Sequence, residues 1–101
     1  MQSFKTAVLE ASSSKIVVVD YFATWCGPCK VIAPKVAQMS NEDKYSGVDF
    51  VKIDVDEAGD VAAQEGIRAM PTFIIYKDGK KADEVVGANE RELRNKIDAL
   101  L

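Results

Sequence analysis

Histidine is absent from the 101-residue chain, and cysteine occurs only twice, at Cys26 and Cys29. Without histidine there is no Ser-His-Asp triad, no Cys-His nucleophile pair and no imidazole metal ligand. Two thiols cannot complete a structural zinc site, which takes four thiolate or imidazole ligands, so no metal site is expected. Catalytic proton transfer therefore falls to Asp, Glu, Lys, Tyr or the thiols themselves. Long hydrophobic runs are also missing. The longest aliphatic stretch, Ile16 to Val19, is far too short to span a membrane. A net charge of −3 withholds the basic face that a nucleic-acid binder needs. The opening Met-Gln-Ser-Phe-Lys-Thr has no apolar signal-peptide core, and no retention or lipidation motif closes the sequence. The expectation is a protein of the reducing cytoplasm, in contact with neither membrane nor nucleic acid, whose two cysteines are not a secreted-domain staple.

What is present suffices for one core: 48% of the residues are hydrophobic, and no linker or repeat divides the sequence, so residues 1–101 read as a single domain. Residues 16–22 (Ile-Val-Val-Val-Asp-Tyr-Phe) are β-branched and aromatic without alternation, the pattern of a central strand buried on both faces. Residues 48–55 alternate better and form a second strand. Between them Cys29, Ile32, Ala33, Val36 and Met39 fall on one helical stripe, which completes a βαβ unit. Pro34 interrupts that helix ladder and is expected to kink it.

Further along, Ala58 to Glu65 reads as a short helix ended by Gly66. Thr72 to Lys77 and Ala82 to Val86 read as strands joined at Asp78-Gly79. Asn89 with Glu92 resembles a capping box; the final helix turns Leu93, Ile97, Leu100 and Leu101 inward and pairs Glu92 with Lys96. A short strand near Ser3 to Lys5 and a short helix around Ala7 to Ala11 precede the first core strand. The predicted architecture is α/β, a central mixed sheet of about five strands flanked by about four helices.

The chemistry concentrates at Trp25-Cys26-Gly27-Pro28-Cys29, where the first core strand hands over to the helix. A structural disulfide closing so short a loop contributes only about 2 kcal/mol, against nearly 5 for a loop of about a hundred residues. Half a zinc site would need two ligands from another chain. Haem attachment fails because Lys30 stands where a histidine is required. A redox dithiol accounts for all five residues. At the helix N-cap the Cys26 sulfur faces unpaired first-turn N–H groups; Pro28 has none to give, so the donor in reach belongs to Cys29. The helix dipole favours a thiolate there by about 0.3–2 kcal/mol. Gly27 lets a target backbone approach, and the Gly-Pro pair keeps the sulfurs within bonding range. Cys26 is then expected to be the exposed nucleophile and Cys29 the more buried resolving thiol.

Asp20 lies inside the apolar strand, where burial raises a carboxyl pKa toward neutrality, and it is the leading candidate base for Cys29. The alternative is an Asp satisfied by Lys52 in a structural ion pair. Asp54, Asp56, Gly59 and Glu65 fit four positions of a calcium-binding EF-hand loop, but Ala58 offers no ligand at the fifth position and a strand, not a helix, enters. That acidic cluster reads as a solvated helix start.

Taken together, the Val-Val-Asp-Tyr-Phe-Ala strand, Trp25 to Lys30, Val51-Lys-Ile-Asp-Val-Asp56, Ile67-Arg-Ala-Met-Pro-Thr72 and Val86-Gly-Ala88 resemble the thioredoxin family from end to end. The C-x-x-C signature is itself defined on that family, so it is not independent of the resemblance. Phe22 departs from the many members that carry a second tryptophan there.

The resemblance implies a thioredoxin fold and a general protein disulfide reductase that cycles Cys26 and Cys29. Asp20 is implied as the buried acid and Lys52 as its charge neighbour. A cis bond is implied at Met70-Pro71, where base rates give only about 5–6%. Also implied is a flat apolar docking surface of Trp25, Gly27, Pro28, Val55, Met70, Pro71, Gly87 and Ala88, although Val55 and Gly87 fit strand-end packing equally well. No cofactor is implied, because the dithiol carries the electrons. The implied partners are an NADPH-dependent thioredoxin reductase and clients such as ribonucleotide reductase, peroxiredoxins and methionine sulfoxide reductases, met by a monomer. A secretory oxidase or isomerase would usually place histidine between the cysteines, and a redox-idle binding module is the reading from a different class.

Overall fold

The computed structural model describes residues 4–101. A π-helical turn, Lys5–Glu10, and a 3-10 turn, Ala11–Ser13, lead into strand β1, Ile16–Phe22. Helix α1 (Gly27–Ser40) and a 3-10 turn (Asp43–Tyr45) follow, then β2 (Val48–Asp54) and helix α2 (Gly59–Gln64). The hairpin β3 (Thr72–Lys77) and β4 (Lys80–Val86) and helix α3 (Glu90–Leu100) complete the chain. The strands lie in the order β2-β1-β3-β4, with β1 parallel to β2 and antiparallel to β3, and β3 antiparallel to β4.

The sheet has four strands among the described residues rather than about five. The expected N-terminal strand is not formed at Phe4 and Lys5, which belong to the helical turn; Ser3 lies outside the described residues. Phe4, Ala7 and Val8 recur at helical spacing and pack against the Tyr76 side of the sheet, and that burial decides against an extended segment.

β1 is central because both its faces are covered. Ile16 and Val18 join Ile32, Val36 and Met39 of α1 and Leu93 and Ile97 of α3 in one core. Val17, Val19 and Tyr21 join Val8, Ile74 and Tyr76 in another on the opposite face. Asp20 points the same way as Ile16 and Val18, toward α1, because side chains alternate along a strand. Asp78 and Gly79 both have positive φ, 58° and 80°, the backbone that a two-residue hairpin of right-handed twist requires. Buried Ser12 receives that turn: its backbone oxygen accepts from Asp78 N–H and its Oγ from Gly79 N–H.

At α3 the structure departs from two local expectations. Asn89 Oδ1 accepts from Glu92 N–H at 3.0 Å, but the return bond of a capping box is absent: Asn89 N–H donates to Gly87 O instead. Leu101 is 59% exposed, since α3 ends one residue earlier and its apolar face has already passed to Leu93 and Ile97. Helix α1 continues through Pro34.

Candidate active site

Helix α1 begins within the disulfide loop. Cys26 is its N-cap, with extended backbone (φ −86°, ψ 112°), and the Cys26 Sγ accepts from Cys29 N–H at 3.2 Å. The sequence dictates this: Gly27 and Pro28 occupy the first turn, and Pro28 has no N–H to offer the cap. A sulfur held there sits where first-turn N–H groups and the helix dipole stabilise negative charge, as a thiolate nucleophile requires. Cys26 and Cys29 are joined by a disulfide with Cα atoms 5.3 Å apart.

The expected difference in exposure between the two cysteines is not seen. Cys26 is 5% exposed and Cys29 4%. In the disulfide both sulfurs are drawn into one small apolar cluster with Ala23, against which Phe22, Val55 and Met70 pack. What distinguishes the cysteines is their place in the helix: Cys26 caps it, and Cys29 lies on its buried stripe.

Beneath α1 an open cleft of about 270 Å³ brings together Asp20, Phe22, Cys29, Lys30, Ala33 and Lys52. A second cleft, about 230 Å³, shares Asp20, Ala33 and Lys52 and opens between α1 and β2 beside Phe50 and Ser40. A larger cleft of about 490 Å³ lies beside Phe4, Val51 and Val61 and holds no thiol, so size does not locate the chemistry here. Asp20 is 3% exposed and its Oδ1 has no hydrogen-bond partner. Burial pushes its carboxyl up to about 6, and the nearby Lys52 charge pulls the other way.

Lys52 stands beside Asp20 in the parallel β1–β2 register, yet the two form no direct ion pair. The ammonium lies instead over the Phe22 ring, 4.8 Å from its centroid. The ring contact is a feature that the sequence reading missed. A lysine on the neighbouring strand and an aromatic two residues after the Asp were visible, but strand register was needed to bring them together.

Around the disulfide, the Met70–Pro71 bond is cis, as expected. Pro71 is buried and Met70 half-buried against the cysteine cluster. Trp25 is 66% exposed and its indole Nε1 donates to Asp56 Oδ2 at 2.9 Å. Gly27, Pro28 and Ala88 are exposed. Val55 N–H donates to Phe22 O at 2.9 Å, and its side chain packs against the cysteine cluster, so strand-end packing and proximity to the disulfide coincide there. Gly87, with φ 103°, donates its N–H to Pro71 O at 2.8 Å, which ties the end of β4 to the proline. Val86, 60% exposed and paired in register with Thr72, is not among the expected docking residues because it reads as an ordinary strand residue. The acids that mimic a calcium loop have other tasks: Asp54 accepts from Asp56 N–H, Asp56 from Trp25, and Glu65 from the Tyr76 hydroxyl.

Comparison with known proteins follows the same lines. A sequence model of the family described as thioredoxin matches residues 1–99. The chain is 54% identical over 98 residues to thioredoxin-2 of Pyricularia oryzae, covering 97% of this chain and 54% of that protein. It is 52% identical over 98 residues to thioredoxin-1 of Schizosaccharomyces pombe, covering 97% of this chain and 90% of that one. The chain thus spans about half the length of the first relative and most of the second. The crystal structure of a Nicotiana alata thioredoxin superposes with a TM-score of 0.82 at 53% identity, over 88% of this chain and 77% of that one. With a disulfide-bonded C-x-x-C at a helix N-cap and relatives of this identity along its length, the chain belongs to the thioredoxin family of thiol–disulfide oxidoreductases.

Proposed function

We propose that the chain is a general protein disulfide reductase whose electron carrier is the Cys26–Cys29 dithiol itself. The observation that carries this reading is the Cys26 sulfur at the N-cap of α1, accepting the Cys29 N–H. In the reduced protein the Cys26 thiolate attacks one sulfur of a client disulfide. A mixed disulfide forms and the first client thiolate leaves. Asp20 takes the Cys29 proton. The Cys29 thiolate then attacks Cys26 Sγ, the second client thiolate leaves, and the Cys26–Cys29 disulfide closes. Two electrons pass to the client, and the chain must be reduced again before the next turn. Lys52 acts as the charge neighbour of Asp20.

Clients dock in extended form across Trp25, Gly27, Pro28, Val55, Met70, Pro71, Gly87 and Ala88. The exposed indole, the cis proline and the open glycines offer them a flat, largely apolar rim. By family resemblance, an NADPH-dependent thioredoxin reductase returns the disulfide to the dithiol. Ribonucleotide reductase, peroxiredoxins and methionine sulfoxide reductases are the clients to expect. Residues 1–101 act as one domain, in the cytoplasm, as a monomer without bound cofactor. No helix among the described residues is long and apolar enough to cross a membrane.

Reduction of insulin disulfides with a dithiol donor tests the activity. Turnover that disappears in Cys26→Ser supports it, and a wild-type chain without turnover overturns it. Cys29→Ser should trap clients as mixed disulfides through Cys26, released by added thiol.

A further inference from the structure

We infer that Phe22 is a positioning residue whose ring holds the Lys52 ammonium away from Asp20, leaving the carboxyl beneath Cys29 without a direct counter-ion. The inference deepens the proposed function and rests on reading Asp20 as the base for Cys29. Asp20 and Phe22 are two residues apart on β1 and so point to the same face. The parallel register sets Lys52 alongside Asp20, and Asp20, Phe22 and Lys52 all line one cleft. Lys52 can therefore reach either an unpartnered carboxyl oxygen or an aromatic face. Its Nζ lies 4.8 Å from the ring centroid, within cation–π range, while Asp20 Oδ1 stays unpaired.

The ring is itself held in place, since Phe22 packs against the Ala23, Cys26 and Cys29 cluster. A direct ion pair would fix Asp20 as a carboxylate and make it a poor proton acceptor near neutrality. A cation kept on the ring softens that pull without removing it. The groups facing Asp20 across the cleft are Lys52 from β2 and Cys29 and Lys30 from α1; its β3 register partner, Phe73, carries no charge.

The test is the Asp20 carboxyl titration, followed by carbon NMR in the oxidised protein, where the cysteines do not titrate. Phe22→Leu keeps apolar bulk without the ring, and Phe22→Tyr keeps the ring. The Asp20 midpoint should fall by about half a pH unit or more in Phe22→Leu and stay at the parental value in Phe22→Tyr. In a Lys52→Met background the Phe22→Leu change should leave the midpoint where it is. An unchanged or raised midpoint in Phe22→Leu overturns the inference, as does an equal fall without the lysine. The pH profile of mixed-disulfide resolution, measured alongside, separates the two claims. A midpoint that moves while the profile stays fixed retains the positioning role and removes Asp20 as the base.

Discussion

Desolvation governs Asp20, since the charged form of a buried carboxyl loses its hydration while the neutral form loses little. Its folded value of about 6 lies above the ordinary 3.8 of an unfolded chain, so the folded protein binds this proton more tightly. The stabilisation is complete below about pH 4 and is lost as pH rises through about 6. Asp20→Asn removes that loss. The variant should exceed the parent in stability at about pH 8, by up to about 3 kcal/mol, and show no such gain at about pH 4. Urea denaturation at the two pH values checks this, and an equal gain at both would contradict it. The same variant should slow resolution of mixed disulfides while keeping the fold; unchanged mixed-disulfide lifetimes would argue against Asp20 as the base. The residue type and its apolar strand were enough to single out Asp20 from the sequence. The unpaired Oδ1 and the lysine's choice of the Phe22 ring were not legible, because both depend on which side chains the β1–β2 register sets together.

Elements here are defined by their ends. Helix α1 opens on a sulfur cap and α3 on the Asn89 cap, whose Oδ1 accepts from Glu92 N–H. Asn89→Ala should cost about 1 kcal/mol in thermal or urea unfolding, the usual worth of such a cap. Ser12 closes the other end of the molecule: its Oγ donates to Leu9 O at 2.8 Å and accepts from Gly79 N–H at 3.1 Å. Ser12→Ala leaves that N–H without its partner and should cost about 1–3 kcal/mol, with faster hydrogen exchange at Gly79 as the local readout. Strands β1 and β3 could be bounded correctly because apolar, β-branched runs are flanked by clear breaks. The N-terminal segment could not. The short helix expected around Ala7 to Ala11 overlaps the helical turn Lys5–Glu10, but the strand expected at Phe4 and Lys5 gives way to that turn because Phe4 and Val8 pack against the sheet.

At the scale of the molecule, the described residues set one sheet between two large cores, and a buried hydroxyl chain crosses the second. Tyr21 and Tyr76 hydroxyls are 2.8 Å apart, and Tyr76 also donates to Glu65 at the end of α2. This chain links β1 and β3 to the segment that runs on to Met70 and Pro71. Tyr76→Phe deletes both bonds and should cost about 1–3 kcal/mol, measured by urea denaturation. On the other face Ile97 is fully buried against the α1 side of the sheet. Ile97→Ala should cost about 2–5 kcal/mol by the same measurement, because the cavity it leaves closes only partly. Arg94, paired with both Glu42 and Glu90, ties α3 to the turn after α1 at the surface, where added salt weakens such pairs.

Composition and local pattern suffice to read the redox chemistry. The absence of histidine and of further cysteines left one dithiol, and Gly27-Pro28 at a helix start left one N–H to hold its sulfur. The same pattern marks β1 as the buried centre and Asp20 as the carboxyl within it. Only folding makes both cysteines of the disulfide nearly inaccessible, turns the first described residues into a helical turn rather than a strand, and places the Lys52 charge. One cause is common to all three. Local patterning depends on neighbours along the chain, whereas burial and charge placement depend on side chains that only folding brings together.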